Sequence, residues 1–241
     1  MPVVLCSGGI DSIVLGKLAE AHPECYGKSD ERTLALYCDI GAATADAAFE
    51  IVKYHFKWAK RVKIPLPVKL RKRLSTHQKY YKPLWKRQMD YDFSNQDNPY
   101  LSADYGYVPC RSLLFLSMGV LYASTYHLSS VLAGWQFDAK DWAAYDANGY
   151  LSDIDSDFLN AYLAVLKRGG YDTAQHPVTV RAPFLETRTS KREIVAVGRS
   201  MGLDMRKTYS CEYFPPCYEC PQCMRAQDAL KKVHYKLGGK A

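Results

Sequence analysis

Residues 3–12 read VVLCSGGIDS, and this stretch decides the fold that the sequence predicts. Residues 3–6 form a short apolar run, typical of a buried strand, which stops at a serine and two glycines. From residue 10 to residue 21 the apolar side chains recur at helical spacing, so the glycine turn joins a strand to a helix. In a parallel α/β sheet such a turn lies at the carboxyl edge, where ligands bind. We therefore expect a ligand site at residues 7–12.

Strand and helix patterns alternate along much of the chain outside this stretch. The alternation indicates an α/β fold, a Rossmann-like parallel sheet with helices on both faces. One helix has a clear start, because Thr189 or Ser190 can serve as N-cap and Glu193 completes a capping box. We predict strands at residues 3–6, 33–38, 61–66, 130–133 and 178–184, and helices at residues 10–21, 42–59, 111–126, 190–201 and 224–235.

The chain divides into two parts. Residues 1–205 form the predicted α/β domain, with an insertion at about 67–107, and residues 206–241 form a C-terminal segment. Within the insertion, residues 69–87 carry eight Lys or Arg, no acidic residue and three interleaved aromatics. Such a segment suits a lid over the site or a subunit contact, a contact to ATP phosphates, or a nucleic-acid surface; we favour the first.

Bulk composition excludes some classes of protein. The 241 residues carry a formal net charge of +7, which fits phosphate-bearing ligands. No apolar run is as long as a membrane span, and the N-terminus lacks the pattern of a signal peptide. We expect a cytoplasmic protein without membrane contact, in which clustered cysteines favour a metal over disulfides.

The loop SGGIDS has the composition of a phosphate cradle. Its glycines let the backbone approach an anion, and the following amides open a helix. Ser7 and Ser12 add hydroxyl donors, whereas Asp11 suits Mg²⁺. The hexapeptide resembles the pyrophosphatase loop of the PP-loop ATPases (adenine nucleotide α-hydrolase-like), which cleave ATP between its α and β phosphates. We assign ATP binding to Cys6, Ser7, Gly8, Gly9, Ile10, Asp11 and Ser12.

Residues 211–223 read CEYFPPCYECPQC and gather four of the eight cysteines. Four thiolates at this spacing suit a tetrahedral Zn²⁺ without an open position, so we predict a structural zinc site. An iron–sulfur cluster and two disulfides are the less favoured alternatives. The predicted ligands are Cys211, Cys217, Cys220 and Cys223. Most of the remaining cysteines, which are Cys6, Cys25, Cys38 and Cys110, are expected in the core.

A loop and a four-cysteine site in this order resemble the 7-cyano-7-deazaguanine synthase (QueC) family. Residues 107–117 (YVPCRSLLFLS) are similar to its segment VPxRNxxFLS, and residues 208–211 (TYSC) are similar to its TWSC. Residues 181–185 and 190–194 resemble a further stretch of that family. The chain departs at Ser112, where the family has Asn, and at residues 39–42, where it tends to read DYGQ.

The resemblance implies an ATP-dependent ligase that converts 7-carboxy-7-deazaguanine and ammonia to 7-cyano-7-deazaguanine through adenylated intermediates. It implies ATP, Mg²⁺ and structural Zn²⁺, and a homodimer. We assign catalytic contacts to Asp11, Lys191 and Arg111. The loop after the fourth strand suits a planar base, and its candidates are Gly134, Gln136, Phe137 and Asp138. Alternatives are a member that stops at the amide and an enzyme that adenylates a base in tRNA.

Overall fold

A computed structural model of the chain describes residues 1–26, 32–68, 110–137, 155–169, 178–211, 214, 216–218 and 221–237. Its strands form one parallel sheet in the order β3-β2-β1-β4-β5, which confirms the predicted α/β class. The strands are β1 (Pro2–Leu5), β2 (Leu34–Asp39), β3 (Ala59–Lys63), β4 (Ser130–Ala133) and β5 (Thr179–Arg181). The helices are α1 (Ile10–Ala21), α2 (Pro23–Tyr26), α3 (Ala45–His55), α4 (Arg111–Thr125), α5 (Ser156–Arg168), α6 (Pro183–Glu186), α7 (Lys191–Ser200) and α8 (Pro221–Leu237).

The order of the strands reverses at β1, which lies between β2 and β4. Val4 is the register partner of Ala35 on one side and of Leu132 on the other. From β1 the chain first builds outward through β2 and β3, and then returns to the other side of β1 with β4. A reversal of this kind opens a crevice at the carboxyl ends of the two central strands. The loops that follow β1 and β4 therefore face the same crevice.

Alternate side chains of the central strands supply two separate cores. Val4 is fully buried against α1 and α7, in a cluster that also contains Val14 and Ile194. Its neighbour Val3 points to the opposite face and packs with Leu116 of α4. Burying one such side chain contributes about 1.5–3 kcal/mol, so both helix layers are held firmly on the sheet. The two-sided burial explains why the strands read as continuous apolar runs.

Two predicted elements between residues 42 and 66, a helix and a strand, have boundaries that differ from the structure by a few residues. The helix is α3, which ends at His55 rather than at residue 59. The amide of Phe56 still bonds the Val52 carbonyl, but Phe56 itself is extended. The carbonyl of Trp58 already accepts from the amide of Ala35 in β2, so the third strand begins earlier than its apolar pattern suggests. Sheet pairing therefore decides this boundary.

Three further differences concern the length of a strand, a helix that was not predicted and the burial of two cysteines. The predicted strand at 178–184 is shorter, because Pro183 starts the single turn α6. Helix α5 was not predicted, although its N-cap Asp155 accepts from the amide of Phe158 at 2.8 Å. Cys25 and Cys110 are exposed, so the expectation of a core position was wrong for these two cysteines.

The C-terminal helix α8 packs on the α/β domain. Ala226 and Ala229 belong to the same apolar cluster as Val195 of α7. The predicted basic segment at 69–87 lies outside the described residues. Within the described part of the chain, none of the helices has the length and hydropathy needed to cross a membrane.

Candidate functional site

The loop between β1 and α1 is fixed by its own polar groups and by a glycine. Gly8 has a φ of +82°, and a Cβ there would lie 2.8 Å from the carbonyl oxygen of Ala48 in α3. The Ser12 hydroxyl accepts from the Ser7 amide at 3.2 Å and donates to the Gly9 carbonyl at 3.0 Å. The Ser7 and Ser12 hydroxyl oxygens lie 3.3 Å apart. The loop is therefore held in one shape by its own hydrogen bonds and by the close contact with α3.

The start of α1 leaves backbone donors for an anion. Gly9 is the N-cap residue in extended conformation, and the first helical bond runs from the Ile13 amide to its carbonyl. The amides of Ile10, Asp11 and Ser12 have no acceptor in the described part of the chain. Such amides, together with the positive end of the helix dipole, favour a phosphate group. The structure thus leaves backbone donors where the sequence predicts a phosphate cradle, and ATP binding by residues 6–12 stays a prediction.

Asp11 and Lys191, which are 180 residues apart in the chain, form an ion pair. The Lys191 Nζ lies 2.7 Å from each of the two Asp11 carboxylate oxygens. The side chains are 23% and 12% exposed, so the pair is partly buried but reachable from the crevice. The lysine and the carboxylate that the sequence assigns to phosphate and to Mg²⁺ are therefore brought together at the mouth of the loop.

A capping box places Lys191. The Ser190 side chain accepts from the Glu193 amide, and the Glu193 carboxylate accepts from the Ser190 amide at 2.7 Å. The Ser190 backbone amide and, to a lesser extent, the Ser190 hydroxyl donate to the Glu193 carboxylate and hold the pKa of Glu193 below its usual value. Lys191 is the first helical residue, so the cap that starts α7 also fixes the direction of the lysine.

Three of the four predicted metal ligands lie together. The Sγ atoms of Cys211, Cys217 and Cys223 are all within 4.8 Å of one another. The Cys217 amide lies 3.3 Å from the Cys211 Sγ, which suits a thiolate acceptor. With Zn–S bonds of about 2.3 Å, a tetrahedral zinc needs sulfurs about 3.8 Å apart, so the donor set fits this ion. Cys220 lies outside the described residues.

The cysteine cluster is connected to the loop through the segment that precedes it. The Tyr209 amide donates to the Gly8 carbonyl at 2.7 Å, only two residues before Cys211. Burial, and then the charges of the three cysteines, raise the pKa of Tyr209. Its ring belongs to the apolar cluster that contains Cys6 and Ile13. The segment before Cys211, the first predicted metal ligand, is therefore a wall of the loop.

Comparison with known proteins assigns the chain to a family. The family model described as "Queuosine biosynthesis protein QueC" matches residues 1–234. The chain belongs to the QueC family. The 7-cyano-7-deazaguanine synthase of Aquifex aeolicus (strain VF5) is 31% identical over 130 residues, which are 52% of this chain and 55% of that protein. This match thus spans about half the length of the relative.

A second relative aligns over nearly the full length. The 7-cyano-7-deazaguanine synthase of Clostridium kluyveri is 24% identical over 247 residues, which cover 97% of this chain and 94% of that protein. Among solved structures, the U34-tRNA thiolase NcsA from Methanococcus maripaludis with its [4Fe-4S] cluster has a TM-score of 0.48 and 12% identity. The alignment covers 99% of this chain and 67% of that one, and the likeness is too distant for a functional argument.

The loop after β4 faces the same crevice in this member of the QueC family. A Cβ on Gly134 would lie 3.1 Å from the backbone of Asp11 and Ser12, so the glycine lets β4 approach the start of α1. Gln136 is 7% exposed, and its Oε1 has no partner within the described residues. The Phe137 amide donates to the Thr189 carbonyl at 3.1 Å. Asp138 lies outside the described residues.

Arg111 is less closely connected to the site than Lys191. It is exposed in the first turn of α4, and no hydrogen bond joins it to Asp11. Its assigned contact to an anion stays a prediction.

Sequence reasoning missed a second ion pair at the carboxyl edge. Asp39, the last residue of β2, is 5% exposed. It accepts from the Arg61 Nε at 2.9 Å and from the Gly41 amide at 2.8 Å. Arg61 also bonds Asp46 at 2.6 Å, and this fixes the turn between β2 and α3. The available signal was the position of Asp39, a carboxylate directly after the predicted strand at residues 33–38.

The one cysteine of the loop is not a nucleophile. Burial raises the pKa of the Cys6 thiol to about 11, against weaker opposing hydrogen bonds from Gly8 and Ser12. The thiolate is the reactive form, so Cys6 stays inert near neutral pH.

Proposed function

We propose that this protein uses ATP to convert 7-carboxy-7-deazaguanine and ammonia to 7-cyano-7-deazaguanine. The observation that carries the proposal is the open amide cradle at residues 7–12, with the Asp11–Lys191 pair at its mouth. Membership of the QueC family and the names of both relatives support it.

The chemistry begins with a carboxylate, whose oxygen is a poor leaving group. In the proposed first step this oxygen attacks the α-phosphorus of ATP, and pyrophosphate leaves. Ammonia then attacks the carbonyl carbon of the acyl adenylate, which gives the amide, AMP and a proton. A second ATP activates the amide oxygen in the same way, and loss of AMP and the nitrogen-bound protons leaves the nitrile.

The residues of the loop would bind the leaving pyrophosphate. The amides of residues 10–12 and the Ser7 hydroxyl supply donors, and these are most useful where negative charge develops. Lys191 would move from Asp11 to a phosphate oxygen, which frees the Asp11 carboxylate to hold Mg²⁺. Mg²⁺ would neutralise charge on the pyrophosphate.

Gln136 is the best-supported contact for the base. A buried amide oxygen without a donor costs about 1–3 kcal/mol, so an unused acceptor at the end of β4 suggests that a ligand supplies the donor. The exocyclic amine or ring N–H of a deazaguanine would do so. The roles of Phe137 and Asp138 in recognition, and the homodimer, remain predictions.

The cysteine site would hold a structural zinc. Four thiolates close the coordination sphere, so no open position is left for chemistry. Metal analysis of protein purified without added zinc tests this. We expect about one zinc per chain, whereas iron or no metal would contradict the assignment.

The decisive experiment combines the protein with ATP, Mg²⁺, ammonium and 7-carboxy-7-deazaguanine, and identifies the products by mass. We expect the nitrile, with two pyrophosphates released per product. Accumulation of the amide alone would show that the second activation is missing. A Lys191→Met variant is the matched control and should form neither product. Absence of both products with the wild-type protein would refute the proposal.

A further inference from the structure

Residues 204–211 lead from α7 to the first cysteine of the cluster, and part of this segment forms a wall of the phosphate loop. The His55 Nε2 lies 2.6 Å from the Lys207 carbonyl oxygen, so the end of α3 holds the middle of this segment. The Tyr209 amide bonds the Gly8 carbonyl at 2.7 Å. Ser210 is therefore positioned beside the loop by contacts on both sides of it in sequence, since Cys211 follows as a predicted metal ligand.

The Ser210 hydroxyl has no partner among the described residues, although its Oγ is buried. It lies next to Gly9, the N-cap of α1. A Cβ built on Gly9 would be 4.0 Å from the Ser210 Oγ, 3.3 Å from the Ser7 Oγ and 3.7 Å from the Tyr209 carbonyl. The hydroxyls of Ser7 and Ser210 thus flank the space beside Gly9, where any other residue would place its Cβ.

A buried hydroxyl without a partner is destabilising unless a ligand uses it. Neighbouring groups indicate which ligand this would be. The amides of Ile10 and Asp11 also lack acceptors in the described part of the chain, and they open the same helix. Donors gathered at a helix N-terminus favour an oxyanion. The hydroxyl turns about a single torsion, so a phosphate oxygen above Gly9 can redirect it.

We propose that Ser210 is a further pyrophosphate-binding residue, which donates its hydroxyl to a phosphate oxygen held by the loop. The inference rests on the proposed function, because it requires that the loop binds the pyrophosphate part of ATP. It assigns a ligand contact to the segment that precedes the metal site. A metal bound at the cysteine site would fix Cys211, and so it would also help to position the neighbouring Ser210 hydroxyl.

The test measures binding by calorimetry with the full-length, metal-loaded protein. The probes are inorganic pyrophosphate with Mg²⁺, and AMP. For Ser210→Ala we expect pyrophosphate affinity to fall about tenfold, with AMP affinity unchanged, because AMP lacks the β and γ phosphates. The thermal midpoint should not fall, since the removed hydroxyl has no protein partner. Ser210→Thr keeps the hydroxyl and should retain most of the affinity.

Thr208→Ala is the matched control in the same segment. Its hydroxyl donates to the Met205 carbonyl at 2.8 Å, so it has a structural role and should leave pyrophosphate affinity unchanged. Pyrophosphate affinity of Ser210→Ala within twofold of wild type would overturn the inference, as would an equal loss for AMP or for Thr208→Ala. Failure of the wild-type protein to bind pyrophosphate at all would overturn the proposed function as well.

Discussion

Gly8 and Gly9 are adjacent, but the structure gives them different tasks. At Gly8 the positive φ and the 2.8 Å approach of the Ala48 carbonyl exclude any side chain. We expect Gly8→Ala to cost at least about 1–2 kcal/mol, which lowers the thermal midpoint by about 2–8 °C in a chain of this size. Thermal unfolding of the purified variant checks this. An unchanged midpoint would show that the loop is not held against α3.

At Gly9 the backbone already suits alanine, with a φ of −76°. The nearest atom to an added Cβ is the Ser7 Oγ at 3.3 Å, so the methyl group fits with a small adjustment. It would occupy the space above the amides of α1. We therefore expect Gly9→Ala to unfold near the wild-type temperature but to release little pyrophosphate from ATP. Wild-type turnover by this variant would contradict an anion site at this position.

The Asp11–Lys191 pair allows a test that separates stability from chemistry. Asp11→Lys or Lys191→Asp alone places two like charges together in a partly buried site and should lower the thermal midpoint. The double exchange restores an ion pair and should recover much of that loss. It cannot restore catalysis, because the cation and the carboxylate then lie on the wrong sides of the phosphate. Pyrophosphate release should stay at least about hundredfold below wild type.

The opposite result has a clear meaning. If the double exchange recovered both the midpoint and the release of pyrophosphate, the pair would only join α1 to α7. The rate of pyrophosphate release by the double exchange is compared with the rates of the two single variants, each measured over a range of Mg²⁺ concentrations.

Elements with a local signal could be predicted from the sequence. Strand β4 was placed at residues 130–133 and helix α7 at residues 190–201, where the structure has Ser130–Ala133 and Lys191–Ser200. A short apolar run and a capping box each depend on a few neighbouring residues, so the signal survives folding. The glycine loop likewise carries its own geometry.

Elements whose limits depend on distant contacts could not be predicted as well. Strand β3 starts at Ala59 because β2 pairs with it there. The proximity of Lys191 to Asp11 and of Tyr209 to Gly8 depends on how α7 and its following segment pack. Sequence alone named Asp11, Lys191 and the cysteines, but it could not show that they surround one loop, since side-chain distance is a property of the tertiary fold.

Removal of the metal tests the link between the cysteine segment and the loop. Cys211 lies two residues after Tyr209, whose amide bonds Gly8, and Cys223 lies in α8. Without a metal, the cysteines on either side of the segment are no longer joined, so the loop loses one wall. We expect Cys211→Ser, or chelation, to lower the thermal midpoint and to weaken pyrophosphate binding together.

Cys25→Ser is the matched control for this experiment. Cys25 is exposed and lies in α2, and it is not a member of the cysteine cluster. Its replacement should change neither property. A metal-free protein that binds pyrophosphate as tightly as wild type would show that the two sites are independent.

For the whole molecule, topology explains why the two chain ends meet at one site. The reversal of strand order at β1 opens the crevice between the loops that follow β1 and β4. Helix α7 begins at this edge, after Thr189 has bonded Phe137 from the β4 loop. Phosphate donors, the candidate base contact Gln136 and the cysteine segment therefore converge from opposite ends of the sequence. The cysteines of the chain lie in three different environments of this fold, so their reactivity tests the arrangement.

The eight cysteines should react with a thiol reagent in three stages. Cys25 and Cys110 are exposed and should react at once in the native, metal-loaded protein. The four predicted metal ligands should follow only when a chelator is added, because bound thiolates are protected. Burial raises the pKa of Cys6 to about 11 and of Cys38 to about 12, so these two should react only after unfolding. If six cysteines of the native protein were labelled without chelator, the cysteine cluster would hold no metal. Early labelling of Cys6 would mean that the loop opens far more than its hydrogen bonds allow.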